Sequence, residues 1–281
     1  MSMWLLFLLL AVLAALLTYL YFFQDNIIFP RTREIYRTPG DQPFSWEYED
    51  VYVEVNGQKT HGWFIPLDGA RGYVLFSHGN AGNIADRLES ILLLRRMGFS
   101  VLAYDYGGYG YSEGRPSQER IYADVEAMWR YLTDTRAIAP KEIVIFGRSM
   151  GGAAAAHLAA KTKPAAVVLE STFTSIPDVV RGLPLLGPVL ALAVRHHFPN
   201  IQIIPNIQAP ILIIHSKDDH IIPYAHGQRL YEAATAPKEF LHISGDHNEG
   251  FVLSMPVYME GWERFLEPLL PAASTNDASE L

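Results

Sequence analysis

The stretch that most limits how this chain can fold is Ile143-Val144-Ile145-Phe146-Gly147-Arg148-Ser149-Met150-Gly151-Gly152. A short β-branched run ends in Gly-x-Ser-x-Gly, and an alanine-rich helical pattern over residues 153–160 follows at once. Strand, sharp turn, helix is the context in which this motif raises a serine hydroxyl above a sheet. The turn is expected to force Ser149 into a strained backbone conformation. Gly147 and Gly151 fit because a Cβ at either position would clash where strand and helix approach. The turn also sets Ser149 at a helix N-terminus, where free N–H groups and the dipole favour negative charge. The bland alternative is a buried strand-to-helix turn without chemistry. Partners found further along the chain weigh against it.

Around this stretch the chain alternates. Residues 50–55 alternate apolar and polar, Asn56-Gly57 turns, and residues 60–65 return, a pattern that predicts a hairpin. Residues 72–77 and 101–104 read as buried strands. Between them, Leu88, Ile91 and Leu92 mark a helix within 84–97 that Gly98 ends. Ile121, Val125, Met128, Trp129 and Leu132 mark the next helix, opened by Pro116-Ser117. Beyond the elbow come strands at 166–169, 211–214 and 240–243, and helices at 224–233 and 258–266. Strand–helix alternation of this kind predicts an α/β fold, a mostly parallel central sheet with helices on both faces. With 49% hydrophobic and 19% charged residues the chain is globular, and 281 residues suit one large α/β domain, assigned to 46–270.

Three segments stand outside the alternation. Met3–Phe23 carries no charge over about 21 residues, enough for one membrane crossing as a helix. Trp4 at one end and Tyr19, Tyr21, Phe22 and Phe23 at the other fit interface positions. A cleaved signal peptide is the rival. The run is long for one, no Lys or Arg precedes it, and no Ala-x-Ala site follows. Residues 1–24 are therefore read as a transmembrane anchor and 25–45, with Pro30, Pro39, Gly40 and Pro43, as a linker. Arg31, Arg33 and Arg37 place the following domain on the cytoplasmic side by the positive-inside rule. Residues 172–208 separate two core strands by far more than the usual connection. They hold a strongly apolar helical stretch over 183–194, read as a lid with Leu183, Leu185, Leu186, Val189 and Leu190 facing substrate. The alternative for that stretch is an extra core helix. Residues 271–281 form a small-residue acidic tail expected to be disordered.

A serine hydroxyl is a poor nucleophile until a base takes its proton. The base needs a pKa near neutrality, which points to His, and a carboxylate must fix the imidazole tautomer. The expected chain order after this elbow is Ser, acid, His. Two loops, each directly after a strand, offer partners: His215-Ser216-Lys217-Asp218-Asp219-His220 and Ser244-Gly245-Asp246-His247-Asn248. Strand C-terminal ends are where open α/β sheets bind ligands. Asp219 is assigned as the acid and His247 as the general base. Asp218 competes with Asp219, and Glu170, at the end of the next strand, competes less well. His220, His226 and His242 are the weaker rivals of His247.

An acyl-transfer site also needs two N–H donors for the oxyanion. Met150 N–H, just after the nucleophile, supplies one. The loop Ser77-His78-Gly79-Asn80-Ala81-Gly82-Asn83 is expected to supply the other through Asn80, with His78 holding the loop. Two decoys are set aside. Gly108-Tyr109-Gly110 lacks the spacing and following helix of a dinucleotide loop. His196-His197 are adjacent, so they do not converge as an i, i+4 pair would, and no metal site is assigned. No cofactor is expected. A net charge of −8 argues against a nucleic-acid partner. The absence of cysteine removes disulfides, thiolate metal sites and Cys nucleophiles.

Taken together, His78-Gly79-Asn80-Ala81-Gly82-Asn83, the run Tyr104-Asp105-Tyr106-Gly107-Gly108-Tyr109-Gly110-Tyr111-Ser112-Glu113-Gly114-Arg115-Pro116-Ser117, Tyr122-Ala123-Asp124-Val125-Glu126-Ala127, residues 146–152, Glu170-Ser171-Thr172-Phe173-Thr174-Ser175 and the two partner loops resemble the serine α/β-hydrolases. The nearer resemblance is to the ABHD-type membrane-associated branch that includes protein depalmitoylases. It implies the α/β-hydrolase fold and hydrolysis of esters or thioesters of lipid-like substrates. The depalmitoylases are held to membranes by a palmitoylated cysteine cluster, whereas this chain has an apolar helix and no cysteine. Related chains also carry the label serine aminopeptidase. The readings are thus a membrane-anchored acyl hydrolase, a peptidase of the same fold, or a non-catalytic tethered scaffold.

Overall fold

The computed structural model describes residues 3–272, so most of the expected acidic tail lies outside the described residues. Two helices, α1 (Met3–Phe23) and α2 (Asp25–Ile28), precede the sheet. The hairpin forms from β1 (Glu49–Val55) and β2 (Gln58–Ile65). Its Asn56 and Gly57 take φ of 53° and 75°, the left-handed pair that matches the twist of the flanking strands. The sheet continues with β3 (Gly72–Ser77), β4 (Phe99–Tyr104), β5 (Ile143–Arg148), β6 (Ala166–Glu170), β7 (Ile211–Ser216) and β8 (Lys238–Ile243). The eight strands lie in the order β1-β2-β4-β3-β5-β6-β7-β8. β2 meets β4 antiparallel, and every pairing from β4 to β8 is parallel.

The inner parallel strands are buried on both faces and read as largely apolar runs, whereas the edge strand β8 is only partly buried. The two faces still sort residues by the period of two. Leu75, Ile145, Val167 and Ile213 enter one core cluster, while their neighbours Val74, Phe76, Val144, Phe146, Val168 and Leu212 enter the other. Of the helices that follow the hairpin, α3 (Leu88–Arg96) covers the second face and α4 (Gln118–Arg130) the first. The first face is also covered by α5 (Met150–Ala159), whose alanines let it lie close to the sheet. Beyond β6 come the short helices α6 (Ile176–Arg181), α7 (Gly187–Leu190) and α8 (Asn200–Ile203). The chain then adds α9 (Ala225–Ala233) on the first face, α10 (Gly250–Leu253), and α11 (Val257–Leu266) on the second, where Trp262 is fully buried against Phe146. Truncating a side chain such as Phe146 should cost roughly 3–5 kcal/mol in this setting.

Two expectations need correction. The apolar stretch 183–194 is not one helix. It breaks into α7 and a 3-10 turn, Ala191–Ala193, after an irregular link in which Leu185 takes φ of 64°. Pro184 and the pair Gly187-Pro188 explain the break, because proline cannot donate inside a helix and restricts the residue before it. The 172–208 segment is also not wholly a surface cover. Phe173, Phe198, Ile204 and Ile207 are buried in the first core cluster, whereas Leu183, Leu185, Leu186 and Leu192 are exposed and Val189 and Leu190 half-buried.

Second, residues 25–45 are not a free tether. Phe29 is buried in the core, and Arg31 pairs with Gly82 in a parallel bridge. Asn83 Nδ2 donates to the carbonyls of Thr32 and Glu34. Buried backbone must find hydrogen-bond partners, and this segment finds them in the domain. Among the described residues, α1 is the one helix long and apolar enough to cross a membrane, and its side chains are largely exposed.

Candidate active site

β5 ends at Arg148 and α5 begins at Met150, so Ser149 alone carries the turn between them. Its φ of 54° and ψ of −119° are a strained pair for a residue with a side chain. The two motif glycines work by close approach. A Cβ on Gly147 would sit 2.2 Å from the Gly151 carbonyl oxygen, and one on Gly151 would sit 1.9 Å from that of Ser77. The second clash is with the neighbouring strand β3, so Gly151 sets the distance from α5 to the adjoining strand end as well as to β5. Thr172 Oγ1 donates to the Ser149 carbonyl at 2.7 Å, and the Ser149 N–H donates to the Glu170 carbonyl at 2.8 Å. The strained residue is thus fastened on both sides.

Ser149 Oγ lies 3.0 Å from His247 Nε2, and His247 Nδ1 lies 2.7 Å from Asp219 Oδ2. Asp219 is buried. Burial by itself pushes its carboxyl up, but hydrogen bonds from His215, His247 and the Ile222 N–H prevail and hold it well below the usual carboxylate range. An ionised carboxylate only accepts, so Nδ1 of His247 carries the proton and Nε2 is left as an acceptor for the serine hydroxyl. The N–H groups of Ile221 and Ile222 donate to Asp219 Oδ1, which turns Oδ2 towards the imidazole.

The rivals have other partners. Asp218 is exposed, and its Oδ2 accepts from Gly245 N–H at 3.1 Å, tying the acid loop to the His247 loop. Glu170 accepts from Arg148 Nε at 2.6 Å and from Tyr258 Oη at 2.7 Å. His226 Nδ1 faces Thr174 Oγ1, His242 faces Tyr224, and His220 is exposed. His196 and His197 diverge, the first towards Asp25 and the second towards the Val194 carbonyl.

The loop after β3 lies against the elbow: a Cβ built on Gly79 would stand 3.6 Å from Ser149 Cβ. Tyr106 Oη donates to the His78 carbonyl at 2.6 Å and Tyr109 Oη to the Asn80 carbonyl at 2.7 Å. The glycine–tyrosine run after β4 is therefore a buttress for this loop. His78 packs its ring on Tyr106 with centroids 4.5 Å apart. Among the described residues the Asn80 N–H has no backbone acceptor. Met150, as the first residue of α5, has no carbonyl one turn back to take its N–H. Two polar donors are thus left free beside one strained serine.

Sequence reasoning missed two features. His215 is fully buried on β7, with Nε2 2.8 Å from the Ile222 carbonyl and 3.5 Å from Asp219 Oδ2, so the acid has a second imidazole at its back. Arg148 is buried between Glu170, Ser90 Oγ and the Phe251 ring, whose centroid is 3.9 Å from the guanidinium carbon. Burial alone would lower the Arg148 pKa, but the Glu170 carboxylate more than offsets this and raises it. The pair sits at facing positions of β5 and β6, and its Phe251 contact reaches α10, just after the His247 loop. The one sequence signal was two opposite charges at the ends of adjoining apolar strands.

The chain is similar to known proteins. The serine aminopeptidase S33 family model matches residues 68–206. The α/β hydrolase domain-containing protein WAV2 of Arabidopsis thaliana is 34% identical over 252 residues, 82% of this chain and 82% of that protein. The uncharacterized protein Rv2307c of Mycobacterium tuberculosis is 37% identical over 225 residues, 77% of this chain and 78% of that one. The human α/β hydrolase domain-containing protein 17B is 37% identical over 183 residues, 64% of this chain and 62% of that protein. The structure of the Pyrococcus furiosus esterase Pf2001 superposes with a TM-score of 0.71 at 22% identity, covering 86% of this chain and 96% of that one, which shows the fold. The class is thus the serine α/β-hydrolase superfamily. Within it, the chain belongs to the ABHD type. That membership makes it a hydrolase.

Proposed function

We propose that this chain is a serine hydrolase that cleaves carboxylic esters or thioesters of lipid-like acyl groups, held at a membrane by α1. The observation that carries the reading is the unbroken relay from Ser149 Oγ through His247 to buried Asp219, at 3.0 and 2.7 Å. Ser149 Oγ attacks the acyl carbon as His247 Nε2 takes its proton. The tetrahedral oxyanion accepts from the N–H groups of Met150 and Asn80. His247 then gives the proton to the departing alcohol or thiol. Water, deprotonated by the same nitrogen, releases the acid and restores Ser149. A binding scaffold has no use for a strained serine with a base beside it.

The acyl preference rests on two regions. The apolar helix α1 suits a bilayer, and the exposed leucines of the 172–208 segment form apolar surface of the kind that dips into an interface. The arginines that follow α1 favour a cytoplasmic catalytic domain. The matched Pyrococcus structure is called an esterase, while the matched family model is called a serine aminopeptidase. A chain-length series of p-nitrophenyl esters from acetyl to palmitoyl, run in detergent beside aminoacyl amides, separates the two. Medium or long esters should be cut fastest. Strict preference for acetyl esters would overturn the lipid-like acyl reading, and faster cleavage of the amides would favour the aminopeptidase.

A further inference from the structure

Residues 24–32 run between two parts of the candidate site that are far apart in sequence. At the near end, Gln24 is buried, donates from Nε2 to the Ala193 carbonyl at 2.9 Å, and accepts from the Arg195 N–H at 2.8 Å. Asp25 Oδ1 takes Arg195 Nη2 at 2.6 Å and His196 Nε2 at 2.9 Å. The same arginine lies over the Tyr21 ring on α1. In the middle, Phe29 fills the gap beside His196 and Phe198 with ring centroids at 5.1 and 6.5 Å. At the far end, Asn80 Nδ2 donates to the Ile28 carbonyl at 3.1 Å, and Gly82 N–H donates to the Pro30 carbonyl at 3.3 Å. Thr32 N–H returns a bond to the Gly82 carbonyl at 3.1 Å.

A linker that served only as a tether would leave its polar groups to water, because ordering each residue costs about 1–2 kcal/mol. Here both ends of one short segment are spent on holding other loops. One set of bonds fixes residues 193–196, which follow the exposed leucines. The other fixes the loop that offers the Asn80 N–H beside Ser149. We propose that residues 24–32 are a positioning strap, which couples the anchor helix to both the acyl-binding segment and the oxyanion loop. This rests on Ser149 being the nucleophile. Asn80 then acts twice: its backbone N–H meets the oxyanion, and its side chain ties that N–H to the strap. The anchor helix becomes a structural input to the site, not a leash on it.

The two ends are separable by kinetics on the full chain in detergent micelles. Active sites are first titrated with a fluorophosphonate, so that kcat is expressed per competent site and misfolded protein drops out. Failure of the wild type to label would overturn the serine-hydrolase reading itself and is seen before any variant is made. Asn80→Ala keeps the backbone N–H but cuts the tie to Ile28, and should lower kcat per titrated site about tenfold on acetyl and decanoyl esters alike. The double variant Gln24→Ala, Asp25→Ala should raise KM for the decanoyl ester about fivefold more than for the acetyl ester. The double variant Gln24→Ala, Asp25→Asn, which keeps an oxygen for Arg195 and His196, should recover part of that loss. If the variants lower only the titratable fraction or the melting temperature, while kcat per site and the KM ratio stay at wild-type values, the strap is packing alone and the proposal fails.

Discussion

The shelf that carries Ser149 and the segment that crosses from β6 to β7 differ in almost every physical respect. The shelf is buried, made of parallel strands that are apolar except at their C-terminal ends, and closed by charge-assisted hydrogen bonds. Asp219 is 6% exposed and Ser149 8% exposed. The crossing segment is built of short helices broken by prolines, with Leu185 97% exposed and Leu192 81% exposed. A reacting hydroxyl and its base must be held to fractions of an ångström, so their supports are over-determined. A surface that receives a flexible acyl chain gains from adaptability and needs only apolar area. Under the proposed function, bond cleavage belongs to the first region and chain selection to the second.

Breaking the shelf should have the largest effect. Ser149→Ala and His247→Ala should each lower kcat on a p-nitrophenyl ester by about 10⁶-fold, with the double variant little worse, because such residues act as one unit. Asp219→Asn should cost about 10⁴-fold by favouring the wrong imidazole tautomer, the size of the same change in serine proteases. Asp218→Asn keeps an oxygen that can accept from Gly245 N–H and should stay within about tenfold of wild type. A dead Asp218→Asn with a near-normal Asp219→Asn would reverse the two acid assignments.

Breaking the crossing segment should do less and should discriminate between substrates. Replacing Leu185 and Leu186 together by serine removes apolar surface worth roughly 0.8 kcal/mol per buried methylene. The specificity constant should then fall about tenfold for palmitoyl or decanoyl esters and less than about twofold for acetate. Equal losses on both substrates would erase the division of labour between the regions.

The same comparison explains what the sequence made legible. The shelf is local: a β-branched run, Gly-x-Ser-x-Gly, and two partner loops that each follow a strand directly. Asp219 and Asp218 are neighbours, so pattern alone could not separate them. The structure separates them by burial, placing Asp219 against two imidazoles and leaving Asp218 exposed. The break in the 183–194 stretch was written in Pro184 and Gly187-Pro188, but leucine content hid it. Gln24 and Asp25 look like solvated linker residues, since nothing local shows that their partners lie about 170 positions away. Arg148 and Glu170 were hidden for a related reason: their pairing depends on the register of β5 against β6. Periodicity reports on faces of elements. It does not report which polar ends will meet.

The central claim is that Ser149 is an activated nucleophile, and covalent capture tests it most directly. Full-length protein in detergent at neutral pH is treated with a fluorophosphonate, digested, and mapped by mass spectrometry. The account predicts one phosphonyl adduct on the peptide carrying Ser149, lost in Ser149→Ala and strongly slowed in His247→Ala. An unlabelled Ser149, or an adduct that persists on another residue after Ser149→Ala, would contradict it.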